Sequence, residues 1–150
     1  MQIIANNKKA FFEYFILEKI EAGIQLTGSE VKSLRAGKAS IKEAYAETKK
    51  GQLFLINADI SHYDKATSYS KIESKRVRKL LVHKKEIYKF QGKIEKEGMT
   101  IIPLKIYFNK KGIAKIEIAI AKGKKLYDKR ESKKKRDWNI QKKRLLKNIN

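Results

Sequence analysis

Apolar and polar positions alternate with a period of two along much of the first 121 residues. In segment 113–121 one face carries only apolar residues, namely Ala114, Ile116, Ile118 and Ile120. In segment 101–108 the corresponding face is Ile102, Leu104, Ile106 and Phe108. Because such alternation is typical of half-buried strands, and 109–112 reads Asn-Lys-Lys-Gly, the two segments are predicted to form a β-hairpin. Pro103 is expected early in its strand or at a sheet edge, because proline has no amide to donate.

Two further strand pairs follow from the same pattern. Segments 12–21 and 24–27 are predicted to pair around a turn at 21–23, which contains Gly23. Segments 44–48 and 53–60 are predicted to pair around 49–52, which contains Gly51. The chain should therefore hold about six short strands.

Two segments have helical periodicity instead. Segment 29–36 can be capped at its start by Thr27 or Ser29 and ended by Gly37. Segment 84–97 carries an apolar stripe and is ended by Gly98. Short strands with hairpin spacing and two short helices predict an all-β-dominated fold, a small closed barrel with accessory helices. The polar, lysine-rich segment 61–76 is expected to be a long loop, of the kind that is functional or disordered.

Charge adds a second region to this picture. The chain has 37 Lys and Arg against 16 Asp and Glu, a net charge of +21. Segment 122–150 alone has 13 Lys or Arg and three acids, and too few apolar residues for a core of its own. We therefore expect a short flexible leader at 1–7, a barrel domain at 8–121 and a basic tail at 122–150 that is disordered when free. Such an excess favours a polyanionic partner, nucleic acid first and an anionic membrane second; a background of surface lysine explains part of the excess but not its clustering.

Several classes of function are disfavoured. The chain has no cysteine, no secretory signal and no apolar run long enough to span a membrane, so we expect a cytoplasmic protein without disulfides. His62 and His83 are far apart and lie in no ligand-spaced cluster, and no phosphate-loop, dinucleotide, zinc-protease or serine-hydrolase motif is present. We expect no enzymatic activity, no metal and no cofactor.

The strongest candidate for RNA binding is segment 28–38. On a helix, Lys32 and Arg35 share an outer face with Lys38 nearby, which predicts a strip that binds phosphates. Glu30 is an acid within this basic stretch and has two interpretations. It can form a capping box with Thr27, or it can accept a hydrogen bond from a base edge.

Other basic segments extend the candidate interface. One is Asn7, Lys8 and Lys9, before the first predicted strand. Segment 75–81 is predicted to be a loop that enters a buried strand, with the charges of Arg76 and Arg78 directed toward solvent or RNA. Segment 121–130 contains Gly123, which permits close backbone approach, and basic residues beside an aromatic ring; the residues concerned are Lys122, Lys124, Lys125 and Tyr127. Tyr63 and Tyr69 can stack on bases or pack within their loop.

The last 20 residues have an amphipathic pattern. Trp138, Leu145 and Ile149 recur at a helical interval, and Leu146 lies beside them. Alone, such a short helix is marginal because nucleation is costly. The segment is either a frayed, solvated tail or a helix that forms on an anionic surface.

Three of these segments resemble the SmpB family, the partner proteins of transfer-messenger RNA in bacterial trans-translation. They read GSEVKSLRAGK at 28–38, RVRKLL at 76–81 and KGKKLYDKR at 122–130, in the order found in that family. The resemblance covers about residues 7–148. It implies an oligonucleotide-binding (OB)-fold-like β-barrel that binds the tRNA-like domain of transfer-messenger RNA and delivers it to stalled ribosomes.

The resemblance also implies roles for particular residues. Those matching Asn7, Lys8, Glu30, Lys124 and Lys125 are associated with RNA binding in the family. The tail is implied to act at the ribosomal decoding centre and to become helical in the vacant messenger channel, through Asp128, Lys129, Arg130 and the apolar residues Trp138, Leu145 and Leu146. The protein is expected to be a monomer in that complex. The alternatives are a structural ribosomal protein, which would lack this set of three motifs, and an RNA-modifying enzyme, for which no cofactor or nucleophile motif is present.

Overall fold

The chain forms a strand-dominated fold. The computed structural model describes residues 2–61 and 74–124, and within these ranges it contains nine strands and three helices. In chain order they are β1 (Gln2–Asn6), α1 (Ala10–Glu13), β2 (Tyr14–Ile24), α2 (Gly28–Arg35), β3 (Ala39–Ser40), β4 (Tyr45–Lys49), β5 (Gln52–Ile56), β6 (Asp59–Ile60), β7 (Arg78–Leu81), α3 (Lys84–Glu97), β8 (Thr100–Phe108) and β9 (Ala114–Gly123). No helix in these ranges is long and apolar enough to cross a membrane.

Six antiparallel strands close into a ring, which confirms the predicted barrel. The order β8-β4-β5-β7-β2-β9 returns to β8, and β1 adds to β8 outside the ring. A separate two-stranded sheet joins β3 and β6. The ring encloses an apolar core that includes Leu53, Leu55, Ile106, Ile116 and Ile118. The sheet thus removes most of its own free edges.

The β8–β9 hairpin forms as predicted, but one of its faces is divided. Ala114, Ile116, Ile118 and Ile120 all lie in the main core. On β8, Ile106 and Phe108 join that core, whereas Ile102 and Leu104 pack in a second cluster on the other side of the sheet. The pairing register shifts between Pro103 and Lys105, and a shift of one residue exchanges the two faces. Pro103 therefore lies at a bulge, fourth in its strand.

The predicted hairpin at 12–27 was wrong, because β2 is one continuous strand of 11 residues. Gly23 lies inside it, paired with Leu81 of β7. A Cβ atom at Gly23 would lie 3.2 Å from the Cβ atom of Leu81. The glycine thus permits a close approach of two strands rather than a turn.

The expected leader was also wrong for residues 2–6, which form β1 and pair with β8. Ala5 is buried, and Asn7 anchors the end of the strand. The Asn7 amide donates to the Leu104 carbonyl at 2.8 Å, and its Nδ2 donates to the Pro103 carbonyl at 3.1 Å. Asn7 is only 4% exposed, so these two hydrogen bonds hold the chain in place and leave little of the side chain accessible to RNA. The division between barrel and tail stays a prediction, although β9 itself extends to Gly123.

Both predicted helices form. α3 covers the predicted segment 84–97, and Gly98 ends it in the left-handed conformation, with φ of 63°. α2 begins with the predicted capping box, in which the Thr27 side chain accepts from the Glu30 amide and the Glu30 side chain accepts from the Thr27 amide. The four-residue helix α1 was not predicted.

Glu30 is also the centre of a buried ion network. Its Oε2 accepts from Arg78 Nε at 2.5 Å and its Oε1 from Arg76 Nη2 at 2.6 Å. Arg78 donates further to the carbonyls of Ala58 and Ser74, at 2.8 and 2.9 Å. The network joins the start of α2 to the start of β7 and to the chain on both sides of segment 62–73.

The prediction that the charge of Arg78 faces solvent or RNA was therefore wrong, because Arg78 is completely buried. Glu30 is 4% exposed, and the geometry supports its capping role rather than contact with a base. Arg76 is partly exposed but is held by Glu30. Sequence reasoning failed here because a buried arginine in a basic run is indistinguishable from its solvated neighbours until its partner is known.

We expect Glu30→Ala to lower the free energy of unfolding by about 3–5 kcal/mol, because it leaves the buried guanidinium group of Arg78 uncompensated. Urea denaturation measures the change, with Glu43→Ala, at an exposed acid, as the matched control. Equal losses in the two variants would contradict the structural role of Glu30.

Acid should reveal the same network. Burial alone would raise the pKa of Glu30, but hydrogen bonds from Arg76, the Thr27 amide and Arg78 outweigh it and hold the pKa below its usual value of 4.5. The stabilisation is therefore present above the unfolded-state pKa and is lost as pH falls through the lower folded-state pKa. Glu30→Ala should lack this part of the acid dependence in urea titrations at successive pH values.

Candidate nucleic-acid interface

A cleft of about 530 Å³ opens where β2 and β7 separate. The two strands pair only at Gly23 and Ile24, opposite Leu81 and Leu80, and then diverge. The start of α3 and the β4–β5 turn form the other walls. The cleft is lined by Ile20, Glu21, Gly23, Gly51, Gln52, Lys79, Leu80, Leu81, Val82, His83, Lys84, Ile87 and Lys115.

The cleft combines an apolar floor with a positively charged rim. Leu80 and Ile87 are buried beneath it, and Leu81 is 49% exposed at its edge. The cations at the rim come from three different elements, namely Lys79, Lys84 and Lys115. α3 begins beside the rim, where the side chain of its cap residue His83 does not cap the helix, and the positive end of the helix dipole adds to the field. The arrangement suits an anion that also carries apolar surface.

One carboxylate lies within this positive cleft. Glu21 accepts a short hydrogen bond at Oε2 from the hydroxyl of Tyr107, on β8. Burial, and then the neighbouring carboxylate of Glu21, raise the pKa of Tyr107, so the hydroxyl keeps its proton and remains a donor. Within residues 2–61 and 74–124 no hydrogen bond to Glu21 Oε1 is found. That oxygen can accept from an exocyclic amine or ring N–H of a base, which is one of the two roles that the sequence left open for Glu30.

The cleft was not predicted from the sequence, because it is assembled from elements distant along the chain. Glu21, Leu81 and Lys115 are separated by at least 30 residues from one another, and each alone reads as an ordinary strand residue. No local signal singled them out, because β2 also carries Glu18 and Lys19 and β9 also carries Glu117. Their meeting depends on the β2–β9 register, which pairs Lys115 with Gly23.

The basic strip on α2 lies elsewhere. Lys32, Arg35 and Lys38 are exposed, as predicted. The Arg35 guanidinium lies 5.8 Å from the ring centre of Phe108, at the end of the barrel. The strip and the cleft share no residue.

A third basic group surrounds α1 and the end of β9. Lys8 and Lys9 are exposed before α1, and Lys122 pairs with Phe15 across β2 and β9. Lys124 Nζ donates to the Phe11 carbonyl at 3.2 Å. The predicted residues Lys125, Asp128, Lys129, Arg130, Trp138, Leu145 and Leu146 lie outside the described residues, as do Tyr63, Tyr69 and Tyr127.

The described residues were also searched for groups that could ligate a metal ion. No group of three or more His, Asp or Glu side chains there is arranged to hold a metal ion.

Comparison with known proteins identifies the family. A family model described as SmpB protein matches residues 4–148, nearly the whole chain. The chain belongs to the SmpB family. The resemblance found in the three sequence motifs is thereby confirmed. SmpB is a family of RNA-binding proteins rather than of enzymes, which agrees with the absence of catalytic motifs.

Relatives of this SmpB-family chain match along almost their full length. The SsrA-binding protein of Bradyrhizobium sp. strain BTAi1 is 57% identical over 144 residues, which are 96% of this chain and 91% of the relative. The SsrA-binding protein of Nitrobacter winogradskyi is 56% identical over 146 residues, or 97% and 92% of the two chains. A solved structure whose description names tmRNA, SmpB and the bacterial ribosome contains a chain 47% identical, with a TM-score of 0.65 and coverage of 79% of this chain and 82% of that chain.

In this SmpB-family chain the Tyr107–Glu21 hydrogen bond should be measurable by a double-mutant cycle. Tyr107→Phe and Glu21→Gln each disturb the bond, so we expect their effects on the free energy of unfolding to be non-additive by about 1 kcal/mol. Urea denaturation of the two single variants and the double variant gives the coupling. Additive effects would show that the hydroxyl does not hold the carboxylate in solution.

Proposed function

We propose that this chain binds the tRNA-like domain of transfer-messenger RNA and delivers it to stalled ribosomes for trans-translation. The observation that carries the proposal is the SmpB family match across residues 4–148. Relatives more than half identical are named SsrA-binding protein, and the structural neighbour's description names tmRNA and the bacterial ribosome. The net charge of +21 suits an RNA partner, and such a protein would act in the cytoplasm.

The cleft between β2 and β7 is the site that we assign to the tRNA-like domain. Lys79, Lys84 and Lys115 would bind phosphates, and these contacts supply affinity without sequence selection. Exposed Leu81 offers apolar contact to a base or sugar. The carboxylate of Glu21 would repel a phosphate at this point of the cleft and would accept a hydrogen bond from a base. A cleft that attracts the backbone and selects a base at one point favours a folded RNA with unpaired nucleotides over a uniform duplex.

The basic groups outside the cleft would serve the same RNA or the ribosome. Lys32, Arg35 and Lys38 form an exposed strip without a concave floor, which suits phosphate contacts that position the RNA. Lys8, Lys9, Lys122 and Lys124 lie near the point where β9 ends at Gly123. We propose that they help to orient the segment that follows.

That segment would act on the ribosome. Ordering residues 131–150 costs roughly 1–2 kcal/mol per residue in backbone entropy, and their apolar surface is too small to offset this alone. A partner rich in phosphates, with pockets for Trp138 and Leu145, could do so. The messenger channel of a stalled ribosome is lined by RNA and is vacant when the message has run out. We propose that the tail enters this channel as a helix, with Asp128, Lys129 and Arg130 near the decoding centre.

The cleft can be tested with two lysines that differ only in position. Lys115→Gln should weaken binding of the tRNA-like domain and reduce the slope of log K against log salt by about 0.7–0.9, because one phosphate contact is lost. Lys96→Gln removes the same charge from the far end of α3, about 18 Å along the helix from Lys84. Fluorescence anisotropy at several salt concentrations measures both. Equal effects would exclude the cleft as the site.

The tail can be tested by truncation after Arg130. The shortened protein should bind the tRNA-like domain with near-normal affinity but fail to support peptide tagging on stalled ribosomes. Trp138→Ala and Leu145→Asp should do the same in milder form, and Asn148→Ala, at a polar tail position, should not. RNA affinity and tagging are measured side by side. Normal tagging, or a loss of RNA affinity that matches the loss of tagging, would refute separate roles for barrel and tail.

A further inference from the structure

Four large apolar side chains are exposed within one short stretch of the chain, α1 and the first part of β2, and we call them the phenylalanine patch: Phe11, Phe12, Phe15 and Leu17. Their exposed fractions are 48%, 79%, 41% and 53%. Large apolar side chains that are grouped on a surface mark an interaction site more often than scattered ones do. The exposure of these four side chains therefore calls for a functional explanation.

Folding does not require these side chains to be apolar. In the single turn of α1 only Ala10 is buried, so Phe11 and Phe12 contribute little to the core. On β2, Phe15 and Leu17 are exposed beside the point where the pairing with β9 shifts register, between Ile16 and Glu18, and neither belongs to a core cluster. A polar residue at Phe12 would satisfy the fold equally well.

Lysines are interleaved with the rings. Lys19 Nζ lies 5.4 Å from the ring centre of Phe11, and Lys124 Nζ lies 5.2 Å from that of Phe15. Lys124 is held there by its hydrogen bond to the Phe11 carbonyl. Lys8 and Lys9 are exposed just before the patch. Aromatic faces surrounded by cations suit a ligand with flat, stackable groups on an anionic backbone.

We propose that the phenylalanine patch is a stacking platform for unpaired bases of a single-stranded RNA segment, separate from the cleft between β2 and β7. Phe11 and Phe12 supply the ring faces, and Lys19 and Lys124 neutralise the adjacent phosphates. Three of the four residues are aromatic, which favours bases over lipid chains as the ligand.

The patch and the cleft are far enough apart to be occupied together. Both use β2, the patch at Phe15 and Leu17 near its start and the cleft at Glu21 near its end, and the register shift between Ile16 and Glu18 lies between the two. Phe15 and Glu21 are six positions apart along the strand, a distance of about 20 Å. The barrel can therefore hold a folded RNA in the cleft and a second, unpaired RNA segment on the patch.

A stacking-specific probe tests this on the full-length protein. The probe is an adenine hexaribonucleotide with one central 2-aminopurine, whose fluorescence is quenched when the base stacks. We expect quenching on binding, and an affinity about tenfold lower for Phe12→Leu, which keeps an apolar side chain but loses the ring. Because no charge changes, the salt dependence should stay the same. Tyr88→Leu is the matched control, since Tyr88 is 63% exposed on α3, outside the patch.

Further measurements distinguish stacked bases from the other possible ligands, namely the phosphate backbone alone, a lipid surface or a second copy of the protein. A hexamer of the same backbone with abasic ribose should bind more weakly and be insensitive to Phe12→Leu. Lys115→Gln should leave the quenching intact while it weakens binding of the tRNA-like domain, so failure of the cleft assignment and failure of the patch assignment are distinguishable. The proposal is overturned if Phe12→Leu binds the hexamer as tightly as Tyr88→Leu does. It is also overturned if Phe12→Leu instead impairs binding to anionic phospholipid vesicles or changes self-association in sedimentation.

Discussion

The buried ion pair between Glu30 and Arg78 is the interaction on which the arrangement of the barrel depends most. Arg78 opens β7, the short strand that pairs with both β5 and β2 and so completes this side of the ring. Burying two charges is costly, and the cost is offset only when their remaining hydrogen-bonding groups are also satisfied. Here Glu30 binds Arg76, Arg78 and its own capping amide, and Arg78 binds two carbonyls as well. The position of β7, and with it one wall of the cleft, follows from this network.

The strand β2 presents exposed side chains of several chemical types. Its exposed residues run from Phe15 and Leu17 through Lys19 to Glu21, so a single strand presents aromatic, apolar, cationic and anionic side chains in order. The strand is continuous, but its pairing with β9 shifts register between Ile16 and Glu18, so residues before and after the shift face different sides of the sheet. An RNA-binding surface on such a strand selects its ligands by where along the strand they make contact, not only by charge.

Local patterns allowed part of this structure to be predicted from the sequence. The β8–β9 hairpin, α3 with its terminal Gly98, and the Thr27–Glu30 capping box all depend on residues close together in the chain. The strand β1, the continuity of β2 through Gly23, the bulge at Pro103 and the burial of Arg78 depend on partners that are distant in sequence. The candidate site divides in the same way: the exposed strip at Lys32, Arg35 and Lys38 was predicted, whereas the cleft requires Glu21, Leu81 and Lys115 to meet through strand register.

The closure of the ring has a consequence for how the protein is made. β2 pairs with β7 at only two positions, and its long pairing is with β9. Tyr14 therefore gains its strand partner only after Gly123 has been synthesised. Contacts this distant in sequence slow folding and leave strand edges open during synthesis. A nascent chain that ends before β9 cannot close the barrel at all and exposes the apolar faces of β2 and β8. Production of an intact barrel is thus sensitive to interrupted translation, the event that the proposed function of this family member would repair.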